Sequence, residues 1–290
     1  MKNVLITGGA GFVGSALIDR LCKRKGDINI TSIDNYSAGS VENHVDDPRA
    51  RYVELDTKNI DRLDLASPDV VFHFGEYSRI VPSFKHVDTC WEYNIEGTKA
   101  VIDYCLKNNC KLIYSASSSK FGNNGADENL SPYAWMKAKM VELIKNYSEW
   151  FGLKYEIVYF YNVYGPGQVC EGDYATVIGI FENQMKRGEP LTVVSPGTQS
   201  RDFTHIDDIV SGVLLAASKG KQKEYALGKG QPYTILQVVD MFEHEYIMVP
   251  PRRGERVDGK ASNELARSEL GWEPKHSLHD YIKHLKDTHE

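Results

Sequence analysis

Tyr133 and Lys137 stand four residues apart in Ser131-Pro132-Tyr133-Ala134-Trp135-Met136-Lys137. On a helix that spacing puts both side chains on one face, an ammonium beside a phenol. A free tyrosine has a pKa of about 10 and is a poor base near neutrality. A nearby cation favours the phenolate and brings it toward the working range of an acid–base catalyst. The spacing alone is weak, because exposed helices produce it by chance. Here a serine cluster, Ser115-Ala116-Ser117-Ser118-Ser119, lies just upstream, and a glycine-rich loop opens the chain. The combination points to redox chemistry at a sugar-like alcohol.

The loop is Thr7-Gly8-Gly9-Ala10-Gly11-Phe12-Val13-Gly14, placed between the apolar run Val4-Leu5-Ile6 and a helical pattern. Glycines at 8, 11 and 14 let the backbone turn sharply and approach a pyrophosphate at a helix N-terminus. A plain tight turn would leave similar glycines. Twenty positions after Gly14, however, the next apolar run ends at Asp34, where a carboxylate accepts hydrogen bonds from a ribose diol. That charge repels a 2′-phosphate, so NAD is expected rather than NADP. The expected cofactor contacts are Gly8, Gly11, Phe12, Val13, Gly14, Asp34 and Asn35. Asp56 either binds the adenine amino group or caps a helix.

The elements that must hold these groups alternate regularly. Candidate strands are Asn3–Ile6, Ile28–Ile33, Tyr52–Leu55, Val70–Phe74, Lys111–Ser115 and Tyr155–Tyr159. Helical stretches lie between them, notably Gly11–Lys25, Val87–Asn109 and Tyr133–Phe151. Such β-α-β alternation predicts an α/β fold, a Rossmann-type doubly wound parallel sheet with helices on both faces. After the turn-rich Tyr164-Gly165-Pro166-Gly167 the pattern loosens. A helix (Ala175–Arg187), a short strand (Leu191–Val194), a helix (Ile206–Ser218) and an amphipathic tail helix follow. This reads as a smaller C-terminal lobe.

Composition sets the outer bounds. A chain of 290 residues with net charge −6 has no global basic field to attract nucleic acid or a membrane surface. No apolar run reaches the roughly 20 residues that span a bilayer, and the N-terminus does not resemble a cleavable signal, so a cytoplasmic protein is expected. The five cysteines include no Cys-x-x-Cys, and the nine histidines show no ligand spacing. Neither a disulfide framework nor a metal site is expected. His73, inside Val70-Val71-Phe72-His73-Phe74, reads as a hydrogen-bonded core residue.

From Val4 to about Pro274 the chain resembles the extended short-chain dehydrogenase/reductases of the NAD-dependent sugar epimerase/dehydratase family. Besides Gly8–Gly14, the resemblance rests on Asp34-Asn35-Tyr36-Ser37-Ala38-Gly39, Asn94-Ile95-Glu96-Gly97-Thr98 and Tyr133/Lys137. Tyr161-Asn162-Val163-Tyr164-Gly165-Pro166, Arg201-Asp202-Phe203-Thr204-His205-Ile206-Asp207-Asp208 and Gly271-Trp272 complete it. Asp34–Gly39 is similar to a segment of UDP-glucose 4-epimerases.

The resemblance implies that Tyr133 is the acid or base at a sugar hydroxyl and that Ser117 hydrogen-bonds the reacting oxygen. It implies that Tyr133 and Lys137 both contact the cofactor, Lys137 binding the nicotinamide ribose while lowering the Tyr133 pKa. Asn162 and Arg201 would contact a nucleotide-diphosphate sugar and Arg252 its diphosphate, the adjacent Arg253 leaving that register open. Residues 1–165 would form the NAD-binding domain, with 201–222 packing back on it. Residues 166–200 and 223–290 would form the nucleotide-sugar lobe. A homodimer through the two long helices is implied as well.

Two departures bear on the reaction. Dehydratases of the family usually carry an acid just after the residue matching Ser117; here those positions are Ser118 and Ser119. A serine is a poor base for the elimination step. The expected reaction is therefore C4 epimerisation through a 4-keto sugar, with 4,6-dehydration or net oxidation as alternatives. The second departure is Phe74-Gly75-Glu76-Tyr77-Ser78-Arg79, where relatives usually have small residues. There Glu76 is expected to contact a sugar hydroxyl or amine, and Arg79 a carboxylate or phosphate, unless the two pair with each other or face solvent.

Overall fold

Strands apolar on both faces must be covered from both sides, and that is how the first half of this chain folds. A computed structural model describes residues 1–288, and the side chains of all of these except 122–126. Strands β1 (Asn3–Thr7), β2 (Asn29–Asp34), β3 (Ala50–Glu54), β4 (Val70–His73), β5 (Lys111–Ser117) and β6 (Tyr155–Phe160) form one parallel sheet. Its order is β3-β2-β1-β4-β5-β6, continued by an edge strand Glu224–Leu227 paired with β6. The order reverses between β1 and β4, which opens a crevice at the carboxyl ends of those strands. The edge strand had escaped the sequence reading, which placed residues 223–290 wholly in the lobe. Four residues with one half-buried glutamate carry little strand signal, and only pairing with β6 defines them.

Helix α1 (Phe12–Cys22) packs on one face of the sheet. On the opposite face lie α2 (Ile80–Ser83), α3 (Val87–Trp91), α4 (Thr98–Asn108) and the 20-residue α5 (Pro132–Phe151). Between α3 and α4 the chain makes a π-helical stretch, Glu92–Gly97, so the long helix expected over 87–109 is interrupted. Its cause is local: Asn94, fully buried, turns inward and holds the Tyr77 backbone at both N–H (2.7 Å) and carbonyl (3.0 Å). Such bulges recur where a helix must aim a polar side chain.

Two cores sandwich the sheet. Leu17, Ile18 and Leu21 of α1 meet Val210 and Val213 of a later helix and Trp272 on one side, and Val101, Ile102, Val141 and Ile144 fill the other. Each fully buried side chain of this kind contributes roughly 1.5–3 kcal/mol. A third core gathers Tyr164, Ile178, Phe181, Val193, Val238 and Ile282. It joins α6 (Val177–Lys186), α8 (Ile235–Phe242) and α9 (Leu278–Asp287), whereas α7 (Ile206–Lys219) packs on α1 beside the large sheet. Among the described residues no helix is long and apolar enough to cross a membrane.

Candidate active site

The β1–α1 turn is built around close backbone approach. Gly8 takes φ +71°, and a Cβ on Gly14 would lie 2.1 Å from the Gly8 carbonyl oxygen and 2.7 Å from the Gly9 Cα. Only hydrogen at position 14 lets the helix start against the loop. Replacing Gly14 with Ala is expected to force the loop open and weaken NAD binding at least about tenfold, the loss of roughly one charge-assisted hydrogen bond. A fluorescence titration with NAD checks it; an unchanged Kd contradicts it.

At the end of β2 the Asp34 carboxylate is buried and accepts from the N–H groups of Ala10 (3.0 Å) and Tyr36 (2.9 Å). Burial raises its pKa and the two backbone bonds oppose that. Asn35 donates to Asp56 Oδ2 at 3.1 Å, and the other Asp56 oxygen caps the turn at Lys58 N (3.0 Å). Gly8, Gly11, Phe12, Val13, Gly14, Asp34, Asn35 and Asp56 all line one cavity of about 550 Å³. A glycine loop at a helix N-terminus and a buried acid at the neighbouring strand end fit an NAD pyrophosphate and ribose diol.

The same cavity holds Ser117, Tyr133 and Lys137. Ser131 caps α5 by accepting from Ala134 N at 3.1 Å, with Pro132 in the first turn, so Tyr133 sits at the helix entrance. Ser117 faces the Tyr133 phenol and favours its ionised form. Ser117 Oγ in turn lies 2.7 Å from Ser119 Oγ. Burial pushes the Tyr133 phenol up to about 12; Ser117 and the Arg79 charge pull it down, and the Glu76 carboxylate pushes it up.

Two expectations meet competing contacts here. Burial outweighs the influences that lower the phenol, and the Lys137 ammonium has a partner of its own. It is buried, ion-paired to Glu76, bonded to the Ser115 carbonyl, and 4.3 Å from the centre of the Tyr114 ring. Glu76 lines the cavity, but its side chain is 2% exposed and ion-paired to Lys137, which competes with a contact to a sugar hydroxyl or amine. It also accepts from Tyr114 Oη (3.0 Å) and Thr98 Oγ1 (3.1 Å). Because Thr98 Oγ1 donates to Glu76, it accepts from His73 Nε2–H at 2.9 Å, and His73 Nδ1 accepts from Thr7 Oγ1 at 2.7 Å. That direction makes His73 a neutral Nε2–H tautomer, in keeping with burial that lowers its pKa to about 3. A continuous buried chain thus links Lys137 to the residue before the glycine loop.

The remaining expected contacts also reach the cavity. Asn162 sits at φ +25° and donates to the Asp202 carbonyl at 2.9 Å. Arg201 pairs with Glu255, and Arg252 lines the exposed rim while Arg253 stacks on Phe84 at 4.1 Å. Arg256 was missed: it is buried, donates to Ser118 Oγ at 3.2 Å and lies 3.4 Å from Asp127. Its one sequence signal was a third arginine in Arg252-Arg253-Gly254-Glu255-Arg256. Arg79 does not pair with Glu76. It bonds the carbonyls of Ser78 and Tyr174.

Outside the cavity, His205, Asp207 and His276 bring metal-type atoms within 4.8 Å of one another, a cluster that no sequence spacing revealed. Asp207 is bound by Arg20 at 2.6 Å and His276 by Asp208 at 3.0 Å, with the two imidazoles stacked 4.2 Å apart. Those contacts account for the cluster without an ion.

Comparison with known proteins agrees with this geometry. The NAD dependent epimerase/dehydratase family matches residues 4–228. A putative UDP-glucose 4-epimerase of Methanocaldococcus jannaschii is 30% identical, over 97% of this chain and 96% of that protein. UDP-glucuronic acid decarboxylase 3 of Arabidopsis thaliana is 27% identical, over 98% of this chain and 88% of that one. Among solved structures, a UDP-glucose 4-epimerase of Thermotoga maritima with UDP-glucose superposes with a TM-score of 0.90 at 28% identity, covering 99% of this chain and 100% of that one.

Proposed function

The chain belongs to the NAD dependent epimerase/dehydratase family, whose cofactor is NAD, and from that membership we propose that it is a nucleotide-sugar 4-epimerase working through a transient 4-keto sugar. When bound, NAD supplies the hydride acceptor and, for the return, the hydride donor at sugar C4. Tyr133 Oη takes the C4 hydroxyl proton and gives it back, and Ser117 Oγ steadies the reacting oxygen. Lys137, fixed by Glu76, would bind the nicotinamide ribose. In this reading residues 1–165 with 201–222 carry NAD, and 166–200 with 223–290, the edge strand Glu224–Leu227 excepted, carry the nucleotide sugar. Asn162, Arg201 and Arg252 face the sugar nucleotide.

The observation that carries epimerisation over dehydration is the state of the carboxylates near Ser117. Elimination of water needs a base at C5. Ser119 is occupied with Ser117, Ser118 accepts from Arg256, and Glu76 is locked onto Lys137. None of these offers a free carboxylate to C5. A cytoplasmic homodimer completes the reading. Trp91 and Trp135 are 44% and 38% exposed on α3 and α5, where a second copy would cover them.

The test is proton NMR of products from UDP-, GDP-, CDP- and dTDP-sugars without added NAD. Interconversion of C4 epimers is expected. Net NADH formation, or a 4-keto-6-deoxy product, would replace this reading with one of its alternatives.

A further inference from the structure

Among the described residues, four cations that are buried or half-buried line the cavity, and three of them have a carboxylate partner. Lys137 has Glu76, Arg201 has Glu255 and Arg256 has Asp127. Arg79 is different. Among the described residues it has no carboxylate partner: one terminal nitrogen donates to its neighbour's carbonyl, Ser78, at 2.9 Å, and the other to the Tyr174 carbonyl. Its Nε–H is buried with nothing to donate to. Of the five N–H donors a guanidinium carries, three are thus left over, aligned in a planar fork suited to a carboxylate. Asp173, which precedes Tyr174 in the chain, is exposed, and no ion pair joins it to Arg79.

Position narrows the ligand. Arg79 lies 5.7 Å from the centre of the Tyr174 ring, and Tyr174 packs with Tyr77, Met136 and Tyr133 in one small cluster. This places the guanidinium at the Tyr133 end of the cavity, where the reacting sugar carbon must lie. Arg252, on the separate segment 251–256, is left for the diphosphate. Burying a cation without a counter-ion is unfavourable unless a ligand brings the charge that the protein omits.

We propose that Arg79 is the anion subsite of the sugar pocket and that the substrate is a nucleotide sugar bearing a carboxylate, a nucleotide uronate, rather than a neutral hexose. The assignment rests on the 4-epimerase reading for the orientation of the sugar, but not for the binding itself. No further covalent step is involved: the carboxylate is held while C4 is oxidised and reduced. Arg79 acts as a specificity residue, and its charge also lies where it helps Tyr133 ionise.

The experiment compares binding of matched neutral and uronate sugars on UDP, GDP and dTDP to the NAD-loaded protein by calorimetry, with the bare nucleoside diphosphates as controls. In at least one pair the uronate is expected to bind about tenfold or more tightly, the effect of a charge-assisted bidentate contact. Arg79→Met should bring that preference close to one while leaving the neutral sugar and the nucleoside diphosphate unchanged. Arg79→Lys, which keeps the charge but not the fork, should retain part of it. Equal affinity, or binding by neither member, in every pair overturns the proposal without requiring any variant to fold. It is equally overturned if Arg79→Met weakens uronate, neutral sugar and nucleoside diphosphate alike, since Arg79 would then serve the diphosphate. Tight uronate binding followed by loss of carbon dioxide, with no C4 epimer, keeps the subsite and defeats the epimerase reading.

Discussion

Tyr133→Phe is expected to lower turnover by about 10²–10⁴-fold, the range typical of a lost general acid–base group, with the fold intact. The substitution removes one oxygen, on which Ser117 acts to favour the ionised form. The ring keeps its packing against Tyr77, Cys90 and Met136. The glycine loop follows β1 and Asp34 ends β2, each held by its own backbone contacts, so NAD affinity should be largely preserved. Turnover, a thermal melt and an NAD titration on the same preparation separate the outcomes. Unchanged turnover would remove Tyr133 from the chemistry; lost NAD affinity would make its role structural.

The second large effect concerns stability. Glu76→Ala is expected to destabilise the fold by about 3–5 kcal/mol, the range for stranding one member of a buried ion pair. Burial opposes charge on both partners: it raises the Glu76 carboxyl and lowers the Lys137 ammonium. Their attraction therefore largely offsets a desolvation cost, and the penalty of the single change comes from the cation left behind. Tyr114 and Thr98 also lose their acceptor. Glu76→Leu combined with Lys137→Met should recover much of the loss, since a neutral, space-filling pair has no such cost. Urea midpoints of single and double variants measure this. Equal destabilisation in the double variant would show that the pair itself, rather than the stranded charge, carries the energy.

The glycine loop, Asp34, Tyr133 and Ser117 were legible from sequence because each lies at the end of a strongly patterned element. A strand that stops at a glycine, or a capped helix that begins at Ser131-Pro132, fixes where its end residue goes. The Glu76–Lys137 pair was not legible. The two residues are 61 positions apart, and what joins them is the crossing of α5 over the loop after β4. A tyrosine and lysine at i and i+4 share a helix face, but the lysine is long and turns to the nearest buried carboxylate. Spacing gave the neighbourhood, not the partner. Arg79 was read as an anion contact, a partner of Glu76 or a solvent-facing charge, and the turn of Glu76 to Lys137, 61 positions away, removes the second. Asn94 showed as part of a family motif, yet its task of pinning Tyr77 depends on the π-helical turn, which no periodicity announces.

The central claim is that hydride leaves C4 and returns to C4 inside one closed site. A nucleotide sugar deuterated at C4, incubated with the protein and no added NAD, tests it directly. The account predicts a C4 epimer that keeps its deuterium at C4. Deuterium lost to water, or a product that has shed water from C5 and C6, would contradict it.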